Sequence, residues 1–234
     1  MVSPRFRRFV LRTTAVQAAT AFYDAVLGGH DDGVFELPSA AISRGARPHW
    51  LGLIGVEDLG SADDVAARFV EAGAMRLGPA GVGDIAVVRD PGGAVVGMTG
   101  TTAATRAAVV WHQLLTQDAE RAAQTYGELF GWVTRDEADH GELGKHRKLA
   151  WSASEPVVGA IADVVGRPGV HAHWLFFFAV ASLEAPMAAT LTRGGKVFGP
   201  FTLPGGARVA VCDDPQGAAF GLMEAGTTPS SHVS

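Results

Sequence analysis

A single cysteine, Cys212, stands in a chain of 234 residues, so no disulfide can close within it. That scarcity fits a reducing compartment. The thiol lies in the strand-like run Ala207-Arg208-Val209-Ala210-Val211-Cys212, which marks it as buried and inert rather than nucleophilic. Long apolar runs are also missing. The longest obvious one, Trp174 to Ala181, is too short to cross a bilayer and is rich in strand formers. The N-terminus carries Arg5, Arg7, Arg8 and Arg12 but no apolar segment leading to a small-residue cleavage site, so it does not read as a signal peptide. Charge is sparse too: 18% of residues are charged and the net charge is −5, which gives no electrostatic reason to expect nucleic acid. There is no zinc-finger spacing, no phosphate-binding glycine loop with Lys-Ser/Thr and no Gly-x-Ser-x-Gly elbow. The expectation is a soluble cytoplasmic protein, monomer or homodimer, whose partner is a small molecule rather than nucleic acid or membrane.

What is present is a folded composition, 47% hydrophobic, and a repeat. His49-Trp50 opens an apolar run that returns at His173-Trp174, and Asp90-Pro91-Gly92-Gly93 returns as Asp214-Pro215-Gln216-Gly217. Both pairs are 124 residues apart. A second match, Ala21 to Gly29 with Gln124 to Trp132, sets Tyr23 against Tyr126 at an offset of 103. Helical spacing and stop signals place helices at 15–27, 62–72, 118–130 and 183–193, with Ser61 as a cap and glycines closing them. Strand patterns fall at 5–12, 49–56, 84–89, 94–99, 109–115, 132–137, 147–153, 157–164, 171–180, 207–212 and 218–224, with shorter candidates over 33–45. The unit is strand, helix, three strands, used four times. Residues 1–100 form one domain with a shortened first unit, 101–108 a linker, 109–226 a second domain, and 227–234 a frayed tail.

The segments Trp111-His112-Gln113-Leu114-Leu115-Thr116-Gln117-Asp118, Thr125-Tyr126-Gly127-Glu128-Leu129-Phe130-Gly131-Trp132 and Asp213-Asp214-Pro215-Gln216-Gly217-Ala218-Ala219-Phe220 resemble the vicinal oxygen chelate superfamily. Its members include glyoxalases, bleomycin-resistance proteins, fosfomycin-resistance enzymes and extradiol dioxygenases, and the likeness is to the two-domain, glyoxalase-like or hydroxylase-like branch. The resemblance implies an α+β fold of tandem βαβββ modules. Each pair would form a curved eight-stranded sheet around a pocket, with the helices outside. The superfamily holds enzymes and pure binders. If this chain is an enzyme, the likeness points to a glyoxalase-type lyase or an extradiol-type dioxygenase.

In catalytic relatives the metal ligands lie seven residues before a helix-opening aspartate and seven after the aspartate of the Asp-Pro turn. Carried onto this chain, those places hold Trp111, Leu175 and Gly221 in the C-terminal half and Arg8, Leu51 and Gly97 in the N-terminal half. None suits iron, zinc, nickel or manganese, so no cofactor is expected. Strand alternation then lines the C-terminal cup with Trp111, Gln113, Leu115, His173, Leu175, Phe177, Gly221 and Met223. That lining suits a small apolar or aromatic molecule, and equally a cup filled by its own side chains. The alternative reading is a metalloenzyme whose displaced ligands are His112, His173 and Glu224. In catalysis without metal, His173 or His140 would be the general base. Counted from Ala15, Arg8 and Arg12 would face the N-terminal cup; the favoured reading is that they sit at solvent-facing strand ends.

Overall fold

The computed structural model describes residues 3–29, 33–81, 83–101, 108–140, 144–167, 169–203 and 206–224. The linker and tail expected at 101–108 and 227–234 fall almost wholly outside them. The strands are β1 (Phe6–Thr13), β2 (Val34–Glu36), β3 (His49–Gly55), β4 (Met75–Arg76), β5 (Ile85–Arg89), β6 (Val95–Thr99), β7 (Val109–Thr116), β8 (Val133–Asp139), β9 (Lys145–Ala150), β10 (Val157–Asp163), β11 (His173–Val180), β12 (Lys196–Thr202), β13 (Arg208–Asp213) and β14 (Ala219–Glu224). The helices are α1 (Val16–Leu27), α2 (Ser39–Ile42), α3 (Ala62–Glu71), α4 (Ala119–Phe130) and α5 (Glu184–Thr192). One sheet has six strands in the order β2-β1-β3-β6-β5-β4, and the other has eight in the order β12-β13-β14-β11-β7-β10-β9-β8. This is the expected α+β architecture, with a six-stranded first sheet where eight strands were anticipated. After β2, Pro38 at φ −57° leads the chain into α2 instead of a further strand.

Local chemistry sets the helix ends. Ser61 accepts a hydrogen bond from the Asp64 N–H, and Asp64 accepts one from the Ser61 N–H in return, a capping box on α3. Asp118 caps α4 by accepting from the Arg121 N–H at 2.9 Å. Helices α1 and α4 both stop on a left-handed glycine, Gly28 at φ 75° and Gly131 at φ 72°. Strand β12 was not anticipated, because its Gly199-Pro200 pair reads as a turn. The pairing with β13 shifts between Phe198 and Phe201, and β12 ends the sheet, where proline is tolerated.

Two compact units make up the chain. Unit 1 takes the chain up to Arg8, the stretch from Gly52 through β6, and His112–Trp174; unit 2 takes Phe9–Leu51, β7 as far as Trp111, and the chain from Leu175 through β14. Each is centred on one buried polar network. In unit 1 the Trp174 indole N–H donates to the Tyr126 hydroxyl at 3.1 Å, and that hydroxyl donates to Asp90 at 3.0 Å. The Ala94 N–H holds the other Asp90 oxygen at 2.9 Å. In unit 2 Trp50 donates to Tyr23 at 3.0 Å and Tyr23 to Asp214 at 3.2 Å, while the Gln216 and Ala218 N–H groups hold the second Asp214 oxygen, both at 2.9 Å. All six side chains are buried. The repeated Trp, Tyr and Asp of the sequence are thus the members of two equivalent networks. In each, the tyrosine comes from one half of the chain and the aspartate from the other.

Candidate functional site

Unit 2 contains the four strands β11, β14, β13 and β12, and their register sorts side chains by face. Phe178 and Leu222 pair, as do Cys212 and Phe220. Phe220 meets the rings of Phe22 and Tyr23 on α1 at 6.0 and 5.3 Å, so this is the helix side. On the opposite face, Phe198 aligns with Val211, Gly221 and Phe177 across the strands, and Phe201 aligns with Val209, Met223 and Ala179. Leu175, Phe177, Val209 and Met223 form a buried cluster, against which half-buried Trp111, Phe201, Val211 and Ala219 pack. Phe198, at the outer end of its row, is 52% exposed. A Cβ on Gly221 would collide with the Phe177 ring, so the space left by the missing side chain is taken by that phenyl group. Gly97 stands in the same relation to Leu53 in unit 1.

Of the sequence-selected lining, the structure brings together Trp111, Leu175, Phe177, Gly221 and Met223 in unit 2. Gln113, Leu115 and His173 belong to unit 1. Gln113 is buried and donates to the Leu114 carbonyl at 3.4 Å, Leu115 is half-buried, and His173, at the start of β11, has its Nδ1 at 2.9 Å from the His171 carbonyl. Arg12, in unit 2, is half-buried with its guanidinium 5.1 Å from the Phe35 ring centroid. A groove of about 310 Å³ lies elsewhere in unit 2, on the helix side, lined by Ala18, Ala21, Phe22, Arg193, Pro215 and Gln216. It contains none of the residues selected from sequence.

The donors of the alternative metal set are committed to other tasks. His112 is buried, its Nδ1 lies 2.9 Å from the Val158 carbonyl, and its ring stacks on Phe6 at 5.4 Å and meets Trp151 edge-on at 5.0 Å. Burial pushes this imidazole down to about 4. The Glu224 carboxylate accepts from Arg208 at 2.6 Å and from the Leu183 N–H at 3.1 Å, holding the start of α5. Register places Glu224 on the helix side, across from the face of Gly221 and Met223. Among the described residues no three His, Cys, Asp or Glu side chains come together as a metal site.

Cys212 is fully buried on the helix side, and burial pushes its thiol up to about 12. Ellman's reagent should leave it unmodified in the native protein and label it on unfolding in urea. Stoichiometric labelling of the native protein within minutes would contradict that environment.

Tandem βαβββ modules building these two sheets define the class as the vicinal oxygen chelate fold. Comparison with known proteins agrees. Residues 108–222 match the family model of the glyoxalase/bleomycin resistance protein/dioxygenase superfamily. The mycobacterial protein CFP32, whose glyoxylase name is provisional, is 30% identical in Mycobacterium tuberculosis and in Mycobacterium bovis, over 92% of both chains. The anthracycline biosynthesis protein DnrV of Streptomyces peucetius is 30% identical over 140 residues, 54% of this chain and 50% of its own. Among solved structures, the 2,3-dioxygenase LapB of Pseudomonas sp. KL28 shares the fold at TM-score 0.63 and 15% identity, covering 100% of this chain and 96% of its own. The Mn(II)-bound glyoxalase of Novosphingobium aromaticivorans does so at 0.60 and 13%, covering 95% and 83%. The chain belongs to the glyoxalase/bleomycin resistance protein/dioxygenase superfamily. No helix among its described residues is long and apolar enough to cross a membrane.

Proposed function

We propose that this protein binds a small apolar or aromatic molecule on the helix-free face of unit 2, around Trp111 and Phe177, without a metal. The supporting observation is the row Phe198–Val211–Gly221–Phe177 beside half-buried Trp111, an apolar surface that keeps exposed ring area at one end. Because Phe177 occupies the space over Gly221, the ligand lies on the aromatic side chains instead of entering a slot, which favours a flat molecule held by stacking. A planar polycyclic ligand also suits a relative named for anthracycline biosynthesis. In this reading the N-terminal half is mainly structural.

Titration with a panel of polycyclic aromatic compounds should quench tryptophan fluorescence. Trp111→Ala should remove most of that response, and Phe198→Ala should weaken binding by about tenfold, the effect of losing about 1.4 kcal/mol of stacking. Absence of quenching across the panel, or unchanged affinity in Trp111→Ala, would sink the reading.

The second reading is a metal-dependent lyase or dioxygenase with displaced ligands, favoured by the fold shared with a Mn(II)-bound glyoxalase. It ranks lower because Glu224 is engaged by Arg208 and His112 is enclosed by Phe6 and Trp151. Elemental analysis of protein purified without chelator separates the two: one tightly held metal ion per chain would reverse their order.

A further inference from the structure

In unit 1, register sorts β7, β10, β9 and β8 in the same way. Arg147 pairs with Ile161 and reaches Glu120 on α4, so its side is the helix side. On the helix-free side, Ala138, His146, Ala162 and Leu115 form one row, and Lys148, Ala160 and Gln113 the next. His140 follows β8, its N–H donating to the Gly144 carbonyl at 3.0 Å, which continues the hairpin and sets its side chain on the face of Ala138 and His146. The rings of His140 and His146 lie 4.6 Å apart.

Two groups on this face have no hydrogen-bond or ion-pair partner among the described residues. The His140 Nδ1 is buried with no hydrogen-bond partner among the described residues. Lys148 is half-buried, and its ammonium forms no ion pair or hydrogen bond among the described residues, although its charge reaches His140. Withdrawing the His140 nitrogen from water without a partner is costly, and one external acceptor could serve it and the neighbouring Lys148 ammonium together. Among the described residues, Asp139 acts on His140 with opposite charge, and alternation turns it to the other side of the hairpin.

We propose that this face of unit 1 is a binding site for a small organic carboxylate. One oxygen accepts from Lys148 and the other from His140, with His146 alongside; the hydrocarbon part rests against Leu115 and the small side chains of Ala138 and Ala162. A cation is disfavoured there by the ammonium of Lys148. A carboxylate provides two acceptors and the compensating charge. Unit 1 alone supplies these groups, so the site stands or falls separately from the aromatic surface of unit 2.

Isothermal titration of the full chain with benzoate and with benzamide, its uncharged analogue of the same shape, tests the assignment. Benzoate should bind at least tenfold more tightly than benzamide. Lys148→Met should lower benzoate affinity at least tenfold and His140→Phe several-fold, with benzamide unaffected in both. Lys145→Met, on the same strand but the opposite face, should leave benzoate binding unchanged. Circular dichroism confirms that each variant is folded, and if Lys148→Met is not, Lys148→Gln takes its place with the same expected loss. Equal binding of the two compounds, no benzoate binding at tens of millimolar, an unaffected Lys148 variant, or an equal loss in Lys145→Met overturns the proposal.

Discussion

Asp90→Ala should destabilise the protein by about 3 kcal/mol, and Asp214→Ala by a similar amount, as read from the urea midpoint at pH 7. Each aspartate is buried and accepts bonds from one tyrosine hydroxyl and from turn amides. Truncation strands the hydroxyl and those amides together, which is the expensive way to lose a buried hydrogen bond. The effect should be graded. Asp90→Asn keeps an acceptor for the Ala94 N–H and should cost about 1 kcal/mol, while Tyr126→Phe removes one hydroxyl and should fall between the two. A loss below about 1 kcal/mol in Asp90→Ala would mean that water enters and replaces the carboxylate.

The second large effect is on pH dependence. The enclosed His112 imidazole has its pKa lowered from 6.5 to about 4, chiefly by burial. The unfolded chain therefore takes up a proton as pH falls below 6.5, and the folded chain cannot match it until about pH 4. Stability from this residue is fully present above 6.5 and is lost through that window, the loss reaching about 3 kcal/mol at its lower end. His140 is depressed by burial and acts in the same sense. The buried Asp90 and Asp214 carboxyls are raised, again by burial, and act in the opposite sense. Asp63, Asp64 and Glu184, lowered by hydrogen bonds, lose their contribution only at more acid pH. Urea midpoints followed from pH 7.5 to 4.5 should fall in the parent protein and fall much less in His112→Phe. Parallel curves for the two would show that the ring is accessible to solvent.

Much of this architecture is legible in the amino-acid sequence. Helix limits lie within a residue or two of those inferred, because glycines stop α1 and α4 and a serine or aspartate starts α3 and α4. The side taken by each β14 residue was also readable, since alternation in a paired strand leaves no choice: Gly221 and Met223 go one way, Leu222 and Glu224 the other. What escaped was non-local. The Trp, Tyr and Asp repeats were visible, but nothing in one strand of text says that Tyr126 reaches Asp90 and Tyr23 reaches Asp214. Likewise Gly221 was legible as part of a cup lining, but not that the neighbouring Phe177 ring takes the space over it. The cluster of His140, His146 and Lys148 was hidden because its members meet only through the hairpin register.

The crossed networks carry one more consequence. Every tyrosine hydroxyl at the centre of a unit depends on an acid a long way off along the chain, 36 residues away in one case and 191 in the other, and on the other repeat. Neither repeat on its own supplies a finished network. A chain trimmed to one repeat should therefore keep a core tyrosine whose acid has gone with the other.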